Sequence, residues 1–241
     1  MFDTPIDTKV LVFDLHGTLV DRDRGLREAL AREAGIGEDS AATLVAALDA
    51  AEDGILPELE EFRPCREVLA GSLVRAAEHV GLDLPPARAA VVAAGMPDWP
   101  LVPGVAGPLA RLSGRYRLAA IANADGDDLS RTLARMPVPF EHAVAADRVG
   151  CYLPEPDHLL ALLHEMVVDE HEVLVVSGGP GRAILPAAAL GIPAARVDPG
   201  DGPPPEDLPV LHRVKTLAEL ADRLVRERRR GGRVARRPRP R

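Results

Sequence analysis

The stretch Lys9-Val-Leu-Val-Phe-Asp-Leu-His-Gly-Thr-Leu-Val-Asp21 decides how the chain is read. Val10 to Phe13 is an unbroken apolar run, the pattern of a strand buried on both faces of a parallel sheet. The run stops at Asp14, and Gly17 then breaks the pattern. Open α/β sheets carry their chemistry just beyond the carboxyl ends of their strands, and Asp14 stands at such an end. On these residues alone, an aspartate that merely caps the next helix is an equal alternative.

Working outward, Arg22 to Ala34 has helical composition, and the region from Gly37 to Gly95 is helical without a convincing strand. Ala41 to Ala51 is rich in Ala and Leu, and Val68 to Val80 repeats apolar residues at helical spacing. Pro85-Pro86 opens a shorter helix that Gly95 ends. From Gly104 onward strands and helices alternate, as a βαβ array requires. Strands are expected at Arg117–Ala122, His142–Ala145, Val173–Val176 and Ala194–Val197. Helices are expected at Pro108–Leu112, Asp127–Arg135, Asp157–Met166, Arg182–Leu190 and Thr216–Arg226. The long helical stretch between the first two strands interrupts this alternation and reads as an insertion, with hinges near Asp21 and in Met96–Gly104.

Composition sets the remaining bounds. Aromatic residues make up only 3% of the 241, so Leu, Val and Ala must build the core. Cys65 and Cys151 are too few for a disulfide scaffold or a metal cluster, which fits a reduced, cytoplasmic protein. No signal-peptide pattern and no membrane-spanning apolar run stands out. The net charge of −8 hides an asymmetry: residues 226–241 carry nine Arg and one Glu, leaving −16 for the rest. An acidic body with no continuous basic face argues against nucleic-acid binding, and the Pro-containing Arg-rich end reads as a disordered tail.

The motif Phe-Asp-Leu-His-Gly-Thr-Leu resembles the first motif of the haloacid dehalogenase-like (HAD) superfamily, Asp-x-Asp/Tyr-Gly-Thr-Leu. The resemblance implies an α/β, Rossmannoid parallel-sheet core over 1–20 and 99–225, a helical cap inserted over 21–98, and the tail over 226–241. It implies Asp14 as nucleophile, needing freedom from water rather than a base to activate it. His16 occupies the slot where the phosphatases of the family carry a second Asp as general acid/base, and it can still move a proton.

The later motifs depart further. Leu118-Ala-Ala-Ile-Ala-Asn-Ala-Asp125 matches the second motif with Ala122 in place of Ser, leaving Asn123 to donate to a substrate. As a turn residue, Asn123 would have a purely structural role. Asp125, Asp127 and Asp128 read as helix-start residues. Val149-Gly-Cys-Tyr-Leu-Pro-Glu-Pro156 resembles the third motif with Leu153 where the family has Lys, so Tyr152 is the remaining donor at that edge. Ser177-Gly-Gly-Pro-Gly-Arg-Ala183 stands for the fourth motif without an acid. Arg182 would supply charge in place of both Lys and Mg²⁺, with Gly178, Gly179 and Gly181 offering backbone N–H groups; a surface Arg on the first helical turn is an equal alternative. The early-cap Arg of the dehalogenases has no counterpart in residues 36–60, and Arg63 and Arg66 are weak substitutes.

Together these residues imply a hydrolase of the 2-haloacid dehalogenase type, displacing a leaving group at carbon on a small anionic substrate without metal or other cofactor. Asp14, as nucleophile or base, and His16, as proton carrier, would be catalytic, and Thr18, Asn123, Tyr152, Ser177 and Arg182 would bind substrate. Two alternatives stay open. One is a diverged protein on the same scaffold that binds a ligand or protein partner without hydrolysis. The other is elimination or displacement with no ester intermediate. A homodimer also stays open.

Overall fold

A computed structural model describes residues 7–178, 182–198 and 209–234, with the side chains of 228–234 left aside. Six strands form one sheet of order β3-β2-β1-β4-β5-β6. These are β1 (Val10–Asp14), β2 (Arg117–Ala122), β3 (His142–Ala145), β4 (Val173–Ser177), β5 (Ala194–Val197) and β6 (His212–Val214). Every pairing is parallel. The chain fills one side of β1 first and then the other, so the strand order reverses beside β1, where open α/β sheets form their binding crevice.

β1 owes its central place to its composition. Leu11 and Phe13 point to one face of the sheet and Val10 and Val12 to the other, and all four are fully buried. The first face packs against α5 (Ala106–Ser113) and α10 (Leu217–Val234) through Leu109, Leu112, Leu220 and Leu224. The second packs against α8 (Asp157–Met166) and α9 (Ile184–Ala189) through Leu159, Leu162, Ile184 and Ala187. α6 (Gly126–Ala134) and the short α7 (Ala146–Val149) complete the core.

Between β1 and β2 the described chain is helical: α1 (Arg22–Ala29), α2 (Glu38–Ile55), α3 (Cys65–His79) and α4 (Pro86–Ala94), with one π-helical turn at Leu30–Ala34. Their apolar sides, including Leu44, Leu48, Leu69, Leu73 and Val92, join the cluster on the first sheet face. The helical insertion therefore shares a core with the sheet. Polar contacts reinforce the junction. Pro64 has no side chain to cap α3, and the Asp125 carboxylate does so instead, accepting from the backbone N–H of Cys65 at 2.8 Å and of Arg66 at 3.3 Å. The Arg66 guanidinium grips the fully buried Asp128 through Nε at 2.6 Å and through NH2. Asp125 was expected to open its own helix; it makes no side-chain cap there and serves α3 across the junction.

Two further differences have local causes. β6 escapes a reading by apolar runs because two of its three residues, His212 and Arg213, are polar; it forms as an edge strand on β5. The last helix continues to Val234, past Arg226 where the tail was placed, and residues 235–241 lie outside the described part.

The loops leaving β1 and β4 touch at Gly178. A Cβ there would stand 2.3 Å from the Gly17 carbonyl oxygen and 2.9 Å from that of Val197, both backbone atoms with no side chain to yield. The Gly178 N–H donates to Thr18 Oγ1 at 2.5 Å, closing the contact. Gly178→Ala should therefore destabilise the fold by roughly 3 kcal/mol, the scale of overpacking in a rigid site, or prevent folding. A urea melt of Gly178→Ala within about 0.5 kcal/mol of the parent would show that these loops are not in backbone contact.

Candidate active site

Asp14 ends β1 beside the reversal of strand order, with only 9% of its surface exposed. Ser177, ending the neighbouring β4, donates its hydroxyl to Asp14 Oδ2 at 2.9 Å. Among the described residues this is the one hydrogen bond to the carboxylate. Burial lifts the Asp14 pKa to about 7; the Ser177 hydrogen bond and the charges of Arg182 and Arg22 oppose the rise without cancelling it. Leu153, 1% exposed, lies on the same cavity wall where the resembling motif would place an ammonium.

Above Asp14 lies a cavity of about 80 Å³. Its polar side is made by Asp14, His16, Arg22, Asn123 and Arg182 from the core and α1, and by Asp49 and Glu52 from α2. Its apolar side comes mainly from the insertion, with Leu56, Val68, Leu69 and Met96, and from Trp99 where the chain returns to the core. The His16 ring meets the Trp99 indole edge to face, centroids 5.7 Å apart. Burial, then the positive Arg22 nearby, lowers the His16 pKa to about 4, so its ring is neutral at neutral pH. Trp99 in turn lies hard against α1: a Cβ on Gly25 would fall 2.3 Å from its ring, which only glycine permits.

The cavity cations are held by α2. Arg22 donates through NH1 to Asp49 at 2.9 Å and through NH2 to Glu52 at 2.8 Å. Burial works against the Arg22 charge, but Glu52 and Asp49 outweigh it and keep its pKa above the usual value. Arg182, from the loop after β4, reaches the other Glu52 oxygen at 3.2 Å and Asp53 at 2.9 Å. These are ion pairs by distance, since neither terminal nitrogen of Arg182 has an aligned hydrogen-bond acceptor among the described residues.

The structure thus brings Asp14, His16, Asn123, Tyr152 and Arg182 to one cavity and leaves Thr18 and Ser177 off its wall. Thr18 spends its oxygen on Gly178, and Ser177 acts through Asp14. Asn123, expected to donate to a substrate, is engaged at both ends of its amide: Nδ2 donates to the Leu153 carbonyl at 3.2 Å, and Oδ1 accepts from the Leu153 N–H at 2.7 Å. It buckles the end of β2 to the 152–154 loop, which is the structural role. Tyr152 donates to the Arg63 carbonyl and stacks on Phe62, centroids 5.2 Å apart, so its hydroxyl faces the insertion. Gly179 and Gly181 lie outside the described residues.

Arg22, Asp49, Glu52 and Trp99 were missed. Arg22 follows the first motif directly, and three acids at 49, 52 and 53 interrupt an otherwise Ala- and Leu-rich helix. Asp49 and Glu52, one turn apart, share a helix face, and that pattern was the available signal. A divalent cation finds a poor donor set here. Among the described residues that line the cavity, the strand ends offer Asp14 alone, Asp49 and Glu52 already hold Arg22, and Mg²⁺ wants near-octahedral oxygen ligation. Among the described residues no group of three His, Cys, Asp or Glu side chains is placed to hold a metal.

A family model for haloacid dehalogenase-like hydrolases matches residues 8–191. The chain belongs to that family of hydrolases. No curated protein matches it in sequence. Among solved structures, the L-2-haloacid dehalogenase of Xanthobacter autotrophicus superposes with a TM-score of 0.77 at 20% identity, covering 91% of this chain and 98% of that one. A defluorinating L-2-haloacid dehalogenase gives 0.73 at 19% identity, covering 93% and 99%. A magnesium-bound HAD-hydrolase of Bacillus subtilis gives 0.74 at 16% identity, covering 90% and 98%. At these identities the likeness is one of fold. No described helix is long and apolar enough to cross a membrane.

The raised Asp14 pKa has a consequence for stability. The folded chain keeps a proton on Asp14 up to about pH 7, whereas the unfolded chain releases it near 3.8. Stability therefore falls as pH rises between those values, and the deficit is complete above about 7. Asp14→Asn removes the cost: it should stabilise the fold by roughly 2–4 kcal/mol at pH 8 and by little near pH 4, read by urea unfolding. A stabilisation independent of pH would refute the assignment.

Proposed function

We propose that this chain is a metal-independent hydrolase of the 2-haloacid dehalogenase type, displacing a leaving group from carbon on a small anionic substrate. The observation that carries this reading is the Asp14 carboxylate, sheltered from water at a cavity and, among the described residues, tied through one oxygen only. An oxygen free of hydration and of strong pairing is a better nucleophile toward carbon than a solvated one. In the first step an Asp14 oxygen forms a bond to the substrate carbon, the carbon–halogen bond breaks, and halide leaves with the bonding pair. In the second, water attacks the acyl carbon of the ester as neutral His16 takes one of its protons; the acyl–oxygen bond breaks, His16 returns that proton to the departing alkoxide to give the hydroxy acid, and the remaining water proton leaves the regenerated Asp14 carboxyl for solvent. Chloropropionic acid has been seen covalently bound in the Xanthobacter autotrophicus relative, which supports the ester route by analogy of fold. A His16 pKa of about 4 makes it a weak acceptor, so ester hydrolysis should be the slow step.

Turnover of 2-bromopropionate in ¹⁸O-water, followed by mass spectrometry of the peptide containing Asp14, tests this directly. One ¹⁸O in Asp14 is expected; turnover without label would exclude the ester and favour displacement or elimination with no covalent intermediate. A second reading, ligand binding without hydrolysis, draws on the pairing of both cavity arginines with acids of α2. Saturable binding with no turnover of any 2-halocarboxylate would support it.

The rate of the first step should follow ionisation of Asp14, rising with pH through about 7. Placing an ammonium on the wall with Leu153→Lys should favour the ionised carboxylate and move this acid limb down by at least about one pH unit. An unmoved limb in a folded variant would show that Asp14 ionisation does not govern the rate.

A further inference from the structure

Glu52 is the point where the two cavity guanidiniums meet. Arg22, from the start of α1, takes Oε1 at 2.8 Å, while Arg182, from the core loop after β4, takes Oε2 at 3.2 Å. One planar carboxylate, each oxygen directed to a separate guanidinium, is the arrangement a carboxylate ligand would adopt between those arginines. Both arginines are close enough to Asp14 to influence its ionisation, and all four groups line one cavity. The Arg182 contact is loose, since its terminal nitrogens have no aligned acceptor among the described residues. An acceptor able to approach along the N–H directions would therefore gain hydrogen bonds that Glu52 does not make.

We propose that Glu52 occupies the seat of the substrate carboxylate, and that a monocarboxylate binds by displacing it from Arg22 and Arg182. This rests on the proposed action on a small 2-haloacid; what it adds is the place of that substrate's carboxylate, between two guanidiniums that Glu52 bridges in its absence. Glu52 then sets affinity and selectivity as an internal competitor. Each arginine keeps an acid beside it when Glu52 swings aside: Asp49 is hydrogen-bonded to Arg22, and Asp53 lies within ion-pair distance of Arg182. A strong, geometrically matched anion displaces the internal carboxylate, whereas chloride, with a single point of charge, competes poorly. The device keeps two cations from facing each other uncompensated in a poorly solvated cavity before substrate arrives.

Trp99, the single tryptophan of the chain, lines the cavity and reports on binding without any turnover. Titration of the full chain with propionate, which has no leaving group, should change its fluorescence saturably. Glu52→Gln removes the competing charge and should tighten propionate about tenfold, roughly 1.4 kcal/mol. Glu52→Asp, which keeps the charge but draws it back by one methylene, should tighten it less. Circular dichroism establishes that each variant is folded. Folded variants that bind propionate as weakly as the parent, or more weakly, would overturn the proposal. A crystal structure of the parent chain soaked in propionate gives an independent reading. The propionate carboxylate should sit between Arg22 and Arg182 with Glu52 swung out, and propionate elsewhere with Glu52 unmoved would overturn it. These readings need no catalysis, so they stand apart from the ¹⁸O test: carboxylate binding at this seat without label in Asp14 would leave the seat and remove the ester.

Discussion

A carboxyl group at the tip of a fully buried strand, with no cation in direct contact among the described residues, is the constraint on which this structure turns. β1 is apolar on both faces because it lies at the centre of the sheet, and that position delivers Asp14 to the reversal of strand order. The same burial that fixes its position makes ionisation costly. Ser177 offsets part of the cost with one hydrogen bond, and Arg182 and then Arg22 each offset a smaller part from a distance. Where a neighbouring motif position would supply an ammonium, Leu153 supplies only packing. The result is a carboxylate poised between its two protonation states near neutral pH. Such a group costs stability, and carboxylates perturbed in this way cluster at functional sites.

The helical insertion completes the site rather than merely covering it. Its α2 carries the acids that orient Arg22 and Arg182, and its Val68 closes the apolar wall together with Trp99, where the chain returns to the core. Its attachment is polar as well as apolar: Asp125 from the end of β2 caps α3, and Arg66 pairs with buried Asp128. A carboxylate held at a helix N-terminus and a two-pronged Arg contact to a buried acid are both directional, so the insertion has a defined seat on the core. The charges on the cavity wall are consequently placed by two parts of the chain acting together.

Much of the architecture could be read in the sequence, because parallel strands at the centre of a sheet are continuous apolar runs and the stretches at 10–13 and 173–176 are just that. Asp14 was legible for the same reason, as the abrupt end of such a run. β6 was not, since an edge strand of three residues with two polar side chains carries no pattern. Within the site, the roles that depend on distant pairing were hidden. Arg22 meets Glu52 across thirty residues, and no local period links a helix start to the face of another helix. Asn123 and Thr18 were identified as polar residues at strand ends, but only coordinates show that the backbone of neighbouring loops already uses them. Residue type and place in the chain indicate that a group can bond; they do not say which acceptor reaches it first.

The ionisation of Asp14 itself is the quantity that tests this picture most directly. Infrared difference spectra of the folded chain across pH, with Asp14→Asn as the subtraction reference, isolate the carboxylate stretch of this one residue. A midpoint at about 7 is expected if burial outweighs Ser177 and the two arginines. A midpoint near the ordinary aspartate value of about 4 would contradict it, showing a carboxylate that is solvated or directly paired.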